Sequence, residues 1–290
     1  MSEARDPAWS HSRLHPDDPN SAQSHPNFHP GDSNSAQSLS HIRPNSNYGR
    51  ITSIALDPVE KKPLAMWHPG SYVLSVGSYG CNLRCPFCQN WEISQAGPDD
   101  VPWRFVSPEQ LVELATDARS RDPRVIGIAY TYNEPLVGWK YVRDCARLAR
   151  DAGLVNVLVS NGHASDAVIS ELAPLIDAAN IDLKAFDNRF YTMCGGSLMR
   201  ARRTIEQLAA APDCHLEVTT LVIPGENDSP AEMDAEAAWI ASLDPEIPLH
   251  VTRFFPRWHM TDREATPVET VRELAAVARR HLRHVFVGNC

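Results

Sequence analysis

The chain has 290 residues, with 27 Lys and Arg against 36 Asp and Glu, so its formal net charge at pH 7 is −9. This length fits one large α/β domain or two ordinary ones, and the acidic balance argues against a general nucleic-acid-binding protein, which is usually basic. No run of about 18 apolar residues is present, so we expect no transmembrane helix and no membrane partner; the polar segment 1–13 does not resemble a secretory signal, so we expect a cytoplasmic protein.

Residues 1 to about 47 differ in composition from the rest of the chain. They hold five of the twelve histidines, many Ser, Asn and Pro, and no cysteine. Residues 15–24 recur imperfectly as residues 29–38, and two copies are too few for a solenoid. So few apolar residues cannot bury enough surface to offset chain entropy. We therefore expect a disordered low-complexity tail over residues 1–47 and one folded domain over residues 48–290.

From Tyr48 onward, strand and helix patterns alternate. The first strand pattern, residues 50–56, ends at Asp57-Pro58, and residues 63–67 are a candidate for a short return strand. Further strands are predicted at residues 72–76, 125–130, 155–159, 179–183, 214–223, 249–254 and 284–287. Helices are predicted at residues 107–120, 137–151, 165–176, 198–210, 230–242 and 267–282. Strands alternating with helices predict a parallel sheet, and the absence of a Gly-rich dinucleotide fingerprint favours a barrel-like sheet over a Rossmann fold.

Several residues with chemically active side chains follow the predicted strands directly. In barrels built from βα units, functional residues lie at the carboxyl ends of the strands. The residues in such positions are Cys81, Glu134, Asn161, Asp182, Lys184 and Arg253. Asp182 and Lys184 share one face of their strand end, because side chains two residues apart point the same way. These residues are our candidates for one site.

The central motif is a loop with three cysteines, Cys81, Cys85 and Cys88, in the spacing C-x3-C-x2-C. Seven cysteines in a chain without an export signal do not suggest a disulfide framework. Thiolates are soft ligands that suit zinc, copper(I) or an iron–sulfur cluster, and a structural zinc site normally has four ligands. Three thiolates on a four-iron cluster leave one iron free to bind a ligand. An iron–sulfur site is therefore favoured, with zinc as the alternative.

These residues resemble a known family. C-x3-C-x-aromatic-C, with Phe87 at the aromatic position, is the signature of radical S-adenosylmethionine (SAM) enzymes, and residues 85–90 resemble the branch of pyruvate formate-lyase activating enzymes. The segments 48–64, 69–71, 131–135, 160–163, 182–184 and 253–256 are similar to the radical SAM enzyme of the AmmeMemoRadiSam system. The resemblance covers about residues 48–289.

The resemblance implies a partial (β/α)6 TIM-like barrel and oxidoreductase chemistry. Cys81, Cys85 and Cys88 would hold a [4Fe–4S] cluster, whose unique iron binds SAM. Reductive cleavage of SAM would give a 5′-deoxyadenosyl radical that abstracts hydrogen from a substrate. A donor such as flavodoxin or ferredoxin would supply the electron.

The same resemblance assigns residues to SAM. Glu134 would contact the SAM amino group, and Asn161 would lie near its ribose and carboxylate. Asp182 and Lys184 are expected to contact SAM as well. The remaining cofactor-binding candidates are Phe87, Asn227 and Arg253.

Three further residues have a plainer interpretation, which we favour for His163 and Cys194. His163 fits an ordinary loop histidine, His250 fits a core histidine equally well as a functional one, and Cys194 fits a small buried apolar residue better than a second functional thiol. Family members also carry cysteine-rich segments near both ends. No cysteine precedes Cys81 here, so we expect those accessory portions to be absent.

Three functions are compatible with the sequence. The first is a radical SAM enzyme with an unidentified substrate, a small molecule or a protein, working with AMMECR-like or Memo-like partners. The second is an activase that forms a glycyl radical on a partner protein. The third is a non-catalytic iron–sulfur or zinc module.

Overall fold

The computed structural model describes residues 46–290. The predicted tail, with its duplicated segment and histidines, lies outside the described residues except for Ser46 and Asn47. Asn47 is buried, and its side-chain amide donates to the backbone carbonyl of Tyr79 at 3.1 Å.

One sheet of eight strands forms the centre of the described chain. Its strands are β2 (Ser53–Pro58), β3 (Tyr72–Gly77), β5 (Val125–Tyr130), β6 (Val155–Ser160), β7 (Ala178–Asp182), β8 (His215–Val222), β9 (Leu249–Arg253) and β10 (Val285–Gly288). Their order is β10-β9-β8-β7-β6-β5-β3-β2. Only β2 is antiparallel to its neighbour; the pairs from β3 to β10 are all parallel. The predicted α/β architecture with a parallel sheet is confirmed.

Helices connect the parallel strands. They are α1 (Trp91–Ser94), α2 (Pro108–Arg121), α3 (Trp139–Asp151), α4 (Asp166–Leu172), α5 (Asn188–Met193), α6 (Leu198–Ala209), α7 (Pro230–Leu243) and α8 (Val268–Ala278). The start of α2 follows the sequence rule: Ser107 caps the helix in a reciprocal box with Gln110, and Pro108 occupies the first turn. The helix predicted over residues 165–176 ends earlier, because Pro174 lies in a 3-10 turn that follows α4.

The first predicted strand divides between two sheets. Its beginning, β1 (Arg50–Ile51), pairs with the short strand β4 (Arg104–Phe105), while β2 pairs with β3. Three elements, β4, α1 and α5, were not predicted, because they are too short to give a clear periodic signal.

The prediction of a return strand at residues 63–67 is wrong. Leu64 in this segment is fully buried among apolar residues of β3, β5, β6 and β7. The backbone amides of Ala65 and Met66 donate to the carboxylate of Glu217 at 3.0 and 2.9 Å, so these amides bond to a side chain rather than to a neighbouring strand. The segment covers one face of the sheet.

No helix within residues 46–290 is long and apolar enough to cross a membrane.

Candidate active site

The carboxyl ends of the parallel strands bring the predicted site residues to one edge of the sheet. Cys81 follows β3, Glu134 follows β5, Asn161 follows β6, and Asp182 ends β7. Arg253 ends β9. This edge is where barrels of βα units carry their active sites.

The sulfur of Cys81 accepts two hydrogen bonds. The backbone amide of Leu83 donates at 3.3 Å, and the side-chain amide of Asn161 donates at 3.5 Å. Burial raises the pKa of the Cys81 thiol, and the nearby charge of Glu134 acts in the same direction. Cys81 is therefore a neutral thiol in this environment and becomes a thiolate only beside a cation.

Cys85 is the most buried of the three loop cysteines, at 7 % exposure. A hydrogen bond with Cys194 lowers the pKa of the Cys85 thiol against the opposing effect of burial, and the charge of Lys184 lowers it further. Cys88 lies one turn away, where its backbone amide donates to the Cys85 carbonyl at 3.1 Å. Burial raises the pKa of Cys88.

The three thiols are free, but they do not form a ready-made ligand cage. Within residues 46–290, no group of three or more His, Cys, Asp or Glu side chains is arranged to hold a metal ion. The fit to an iron–sulfur cluster therefore rests on the chemistry of the donors. Three thiols lie on one loop, with the cation of Lys184 close enough to affect their pKa values, and such a set suits an iron–sulfur cluster.

Hydrogen bonds between the backbone of the cysteine loop and three other segments hold the loop in place. Arg84 donates its backbone amide to the Cys194 carbonyl at 2.7 Å, and His259 donates to the Pro86 carbonyl at 2.9 Å. The side chain of Gln95 donates to the Leu83 carbonyl at 3.1 Å. Loop shape is thus set by distant parts of the chain.

Phe87 lies in a buried apolar cluster rather than at the open edge. Its ring centroid is 5.7 Å from that of Phe190, and Cys85 and Cys194 belong to the same cluster. In this position Phe87 shields the cysteine loop from solvent.

Glu134 is 3 % exposed, and three donors surround its carboxylate. Leu136 N–H and Ser160 Oγ donate to Oε1 at 2.9 and 2.8 Å, and Asn161 N–H donates to Oε2 at 2.8 Å. Burial outweighs these bonds and raises the pKa of Glu134 to about 7. The carboxylate can still accept a hydrogen bond from one more donor, such as the amino group of a ligand.

Asn161 joins Glu134 to the cysteine loop. Its backbone amide bonds to Glu134, and its side-chain amide donates to Cys81 and to Asn82 Oδ1, the latter at 2.9 Å. Asn82 in turn donates to the His163 carbonyl. The His163 ring nitrogen Nε2 accepts from Ser197 N–H at 2.7 Å, and burial lowers its pKa, which is consistent with the plainer interpretation of His163 as a neutral loop residue.

Asp182 and Lys184 form an ion pair, with Lys184 Nζ donating to Asp182 Oδ2 at 2.9 Å. Burial lowers the pKa of Lys184, but the charge of Asp182, the charge of Cys85 and the hydrogen bond to Asp182 together more than offset it, so the pKa of Lys184 is raised well above its usual value. The Asp182 side chain is 38 % exposed, which leaves it accessible to a ligand.

Asn227 is buried and its side chain bonds only to the main chain in the structure. Its Nδ2 donates to the carbonyls of Lys184 and Leu221, both at 2.8 Å, and its Oδ1 accepts from Ile223 N–H at 2.7 Å. Asn227 thus fixes the loop after β8 and bonds to the backbone carbonyl of Lys184.

Arg253 is also partly engaged by its own neighbourhood. Its Nε donates to the Thr266 carbonyl at 2.6 Å, and its guanidinium lies 4.8 Å from the centroid of the exposed Phe255 ring. His250, on the same strand, bonds to the fully buried Glu217, which fits its interpretation as a core histidine.

Two further residues of this edge, Asn133 and Tyr132, are not among the predicted site residues. Asn133 accepts from Ser78 N–H at 2.9 Å and donates to the carbonyls of Tyr79 and Gly80, directly before Cys81. Tyr132 has a left-handed backbone conformation, φ 73°. Only the unusual Tyr-Asn pair before Glu134 marks these residues in the sequence.

The chain is similar to known proteins in sequence. A sequence model of the Radical SAM superfamily matches residues 75–238. The uncharacterized protein MJ0808 of Methanocaldococcus jannaschii is 37 % identical over 244 residues, which are 83 % of this chain and 71 % of that protein.

Solved structures share the fold at low sequence identity. Streptococcus suis SuiB bound to S-adenosylmethionine matches with a TM-score of 0.56 and 12 % identity, over 75 % of this chain and 52 % of SuiB. A radical SAM methyltransferase from Sphaerobacter thermophilus matches with a TM-score of 0.52 and 18 % identity, over 77 % of this chain and 67 % of that protein.

Proposed function

This chain belongs to the radical SAM superfamily, whose members use a [4Fe–4S] cluster and SAM, and from that premise we propose that Cys81, Cys85 and Cys88 hold the cluster. The observation that carries the proposal is the direct connection of the cysteine loop to a buried carboxylate. Asn161 bonds at once to the Cys81 sulfur and to Glu134. Asn161 therefore links the proposed cluster ligand Cys81 to Glu134, the carboxylate proposed to contact the SAM amino group.

The proposed contacts of SAM follow from charge. The Glu134 carboxylate, ionised and held by its three donors, accepts a hydrogen bond from the SAM amino group. Asp182 and Lys184 lie at the next strand end but one, where the Lys184 ammonium is available to a carboxylate. Asn161 is proposed to contact the ribose and carboxylate, Asn227 to act through the loop backbone that it fixes, and Arg253 to bind a carboxylate of SAM or substrate.

The chain's own residues prepare the site for this chemistry. A [4Fe–4S] cluster held by the three cysteines would supply the electron for reductive cleavage of SAM and thereby the hydrogen abstraction from the substrate. Asn161 and the backbone amide of Leu83 donate to the Cys81 sulfur and stabilise its negative charge. Phe87 and Phe190 exclude water from the Cys85 side of the loop. Lys184 adds a positive charge near the three sulfurs, which favours their thiolate forms.

The finer assignment is to the radical SAM enzyme of the AmmeMemoRadiSam system. It is supported by the motifs around Arg50, Glu134, His163, Lys184 and Arg253. With it we propose a cytoplasmic oxidoreductase that receives its electron from a flavodoxin- or ferredoxin-type donor and acts with AMMECR-like or Memo-like partners. The substrate is an unidentified small molecule or protein.

Anaerobic reconstitution of the full chain with iron and sulfide tests the proposal. We expect a brown protein with broad visible absorption, whose paramagnetic resonance signal in the reduced state changes when SAM is added. A colourless protein that binds zinc and shows no response to SAM would favour the non-catalytic module and contradict the proposal.

A further inference from the structure

Tyr132 has a backbone conformation that residues with a side chain rarely adopt. Its φ of 73° lies in the left-handed region, within the turn that connects β5 to Glu134. Such a conformation is costly for a non-glycine residue and persists only where the surrounding structure holds it. The contacts of the Tyr132 side chain show what holds it.

Two buried charged residues hold the Tyr132 ring. Its hydroxyl donates to Asp57 Oδ2 at 2.6 Å, and Lys62 Nζ donates to the same oxygen at 2.7 Å. Lys62 also lies 4.8 Å from the centroid of the Tyr132 ring. Asp57 and Lys62 are 7 % and 3 % exposed, so solvent does not weaken these interactions appreciably.

The Asp57–Lys62 pair is internally neutral. Burial alone would raise the pKa of Asp57, but the charge and hydrogen bond of Lys62, together with the Tyr132 hydroxyl, lower it to about 2. Asp57 is therefore ionised and engaged by its own partners. It does not compete with Glu134 for a cationic ligand.

Strand β3 leaves space for the Tyr132 side chain. A Cβ atom added at Gly77 would lie 2.8 Å from the Tyr132 Cβ, which is too close for any side chain. On the other side, Asn90 at the end of the cysteine loop donates to the Tyr132 carbonyl at 2.7 Å. The turn thus fits between β3 and the loop.

The two residues after Tyr132 form the working part of the turn. Asn133 bonds to the backbone on either side of Tyr79, which fixes the chain just before Cys81. Glu134 follows at once, buried and held by three donors. The Tyr132 backbone therefore sets the direction of both.

We propose that Tyr132 is a positioning residue for SAM binding. Through its hydrogen bond to Asp57 and its ring contact with Lys62 it fixes the turn that aims Glu134 at the SAM amino group. The inference rests on the proposed function, because Glu134 is assigned to SAM there.

The test compares Tyr132→Phe with Tyr130→Phe in the reconstituted holoenzyme. Tyr130 is the matched control: it is buried, lies two residues away, and donates to Asn156 Oδ1 at 3.0 Å rather than to Asp57. Removing a hydrogen bond to a charged partner should weaken SAM binding by about tenfold in Tyr132→Phe, with iron per chain unchanged, and by less than about twofold in Tyr130→Phe. Equal SAM affinity in the two variants would overturn the proposal.

A second variant separates positioning from general stability. Tyr132→Gly adopts φ 73° without strain but has no ring. We expect it to bind SAM at least as weakly as Tyr132→Phe, even if its melting temperature is closer to wild type. Wild-type affinity in Tyr132→Gly would overturn the role of the ring.

Failure of this inference differs from failure of the proposed function. If the wild-type holoenzyme does not bind SAM, the proposed function and the role of Tyr132 fall together. If the wild type binds SAM and Tyr132→Phe binds it equally well, only the role of Tyr132 is overturned.

Discussion

The side-chain amide of Asn161 lies 3.5 Å from the sulfur of Cys81 and donates to it. Hydrogen bonds to cluster sulfurs are one means by which proteins set the reduction potential of an iron–sulfur centre. The backbone of the same Asn161 bonds to Glu134. One residue therefore contacts both halves of the proposed site: the proposed cluster ligand Cys81 and Glu134, the carboxylate proposed to contact the SAM amino group.

Replacing Asn161 tests this connection. In Asn161→Ala the Cys81 sulfur loses a donor, so we expect the reduction potential of the cluster to become more negative. Spectroelectrochemical titration of the reconstituted protein measures the shift. An unchanged potential would show that the contact with Cys81 has no influence on the cluster.

The three loop cysteines and Cys194 should behave differently. Cys88→Ala removes a proposed ligand, and we expect it to lose most of its iron on anaerobic desalting. Cys194→Ala is the matched control, because Cys194 is fully buried and bonds to Cys85 but is not a proposed ligand. Iron and sulfide per chain measure the outcome. Equal iron retention by the two variants would argue against the assignment of Cys88.

SAM affinity should depend on pH through Glu134. Burial raises the pKa of this carboxyl to about 7, so protonation below that pH removes the negative charge that the SAM ammonium needs. Affinity should therefore fall as the pH decreases below about 7.

Glu134→Gln tests whether this carboxyl causes that loss. The variant should bind SAM about tenfold or more weakly at pH 7.5, about half a unit above the Glu134 pKa, because a charge-assisted bond is lost. Its loss of affinity at low pH should disappear. Titration calorimetry on the holoenzyme at several pH values measures both differences. A fall in affinity at low pH that persists in Glu134→Gln would assign that ionisation to another group.

A second buried carboxyl, Glu236, predicts how the stability of the fold depends on pH. The single proton of the Thr220 hydroxyl is accepted by the Leu183 carbonyl at 2.8 Å, so Glu236 contacts that hydroxyl best as a protonated donor. Burial raises the pKa of Glu236 to about 8. The unfolded chain loses this proton near the ordinary value of 4.5, whereas the folded chain keeps it.

Stability should consequently decrease as the pH rises from about 4.5 to about 8 and change little above that range. Glu236→Gln keeps the donor and removes the ionisation, so it should be more stable than wild type at pH 8 by on the order of 1 kcal/mol or more. Denaturant unfolding at several pH values measures the difference. A difference between the two proteins that does not grow with pH would contradict a raised pKa at Glu236.

The sequence was sufficient to predict the parallel sheet, because clear helix signals separate the strands of the large sheet from β3 onward. It was sufficient to predict which residues lie at the strand ends, since chain order places Glu134, Asn161 and Asp182 there directly. These are local properties that periodicity and turn residues encode.

Long-range contacts could not be predicted in the same way. Asp57 and Tyr132 are 75 residues apart in the chain, and nothing in either segment indicates their hydrogen bond. The segment 63–67 is an apolar run after a turn signal, yet two of its amides bond to Glu217, about 150 residues further along, so the strand prediction failed. In both cases a tertiary contact determined the local conformation.

The most direct test of the central claim is the formation of 5′-deoxyadenosine by the reduced, reconstituted full-length chain in the presence of SAM. We expect equimolar 5′-deoxyadenosine and methionine from the wild type, and none above background from Cys81→Ala, Cys85→Ala or Cys88→Ala. A wild-type protein with a full cluster that forms no 5′-deoxyadenosine, or a loop-cysteine variant that forms it at the wild-type rate, would contradict the account.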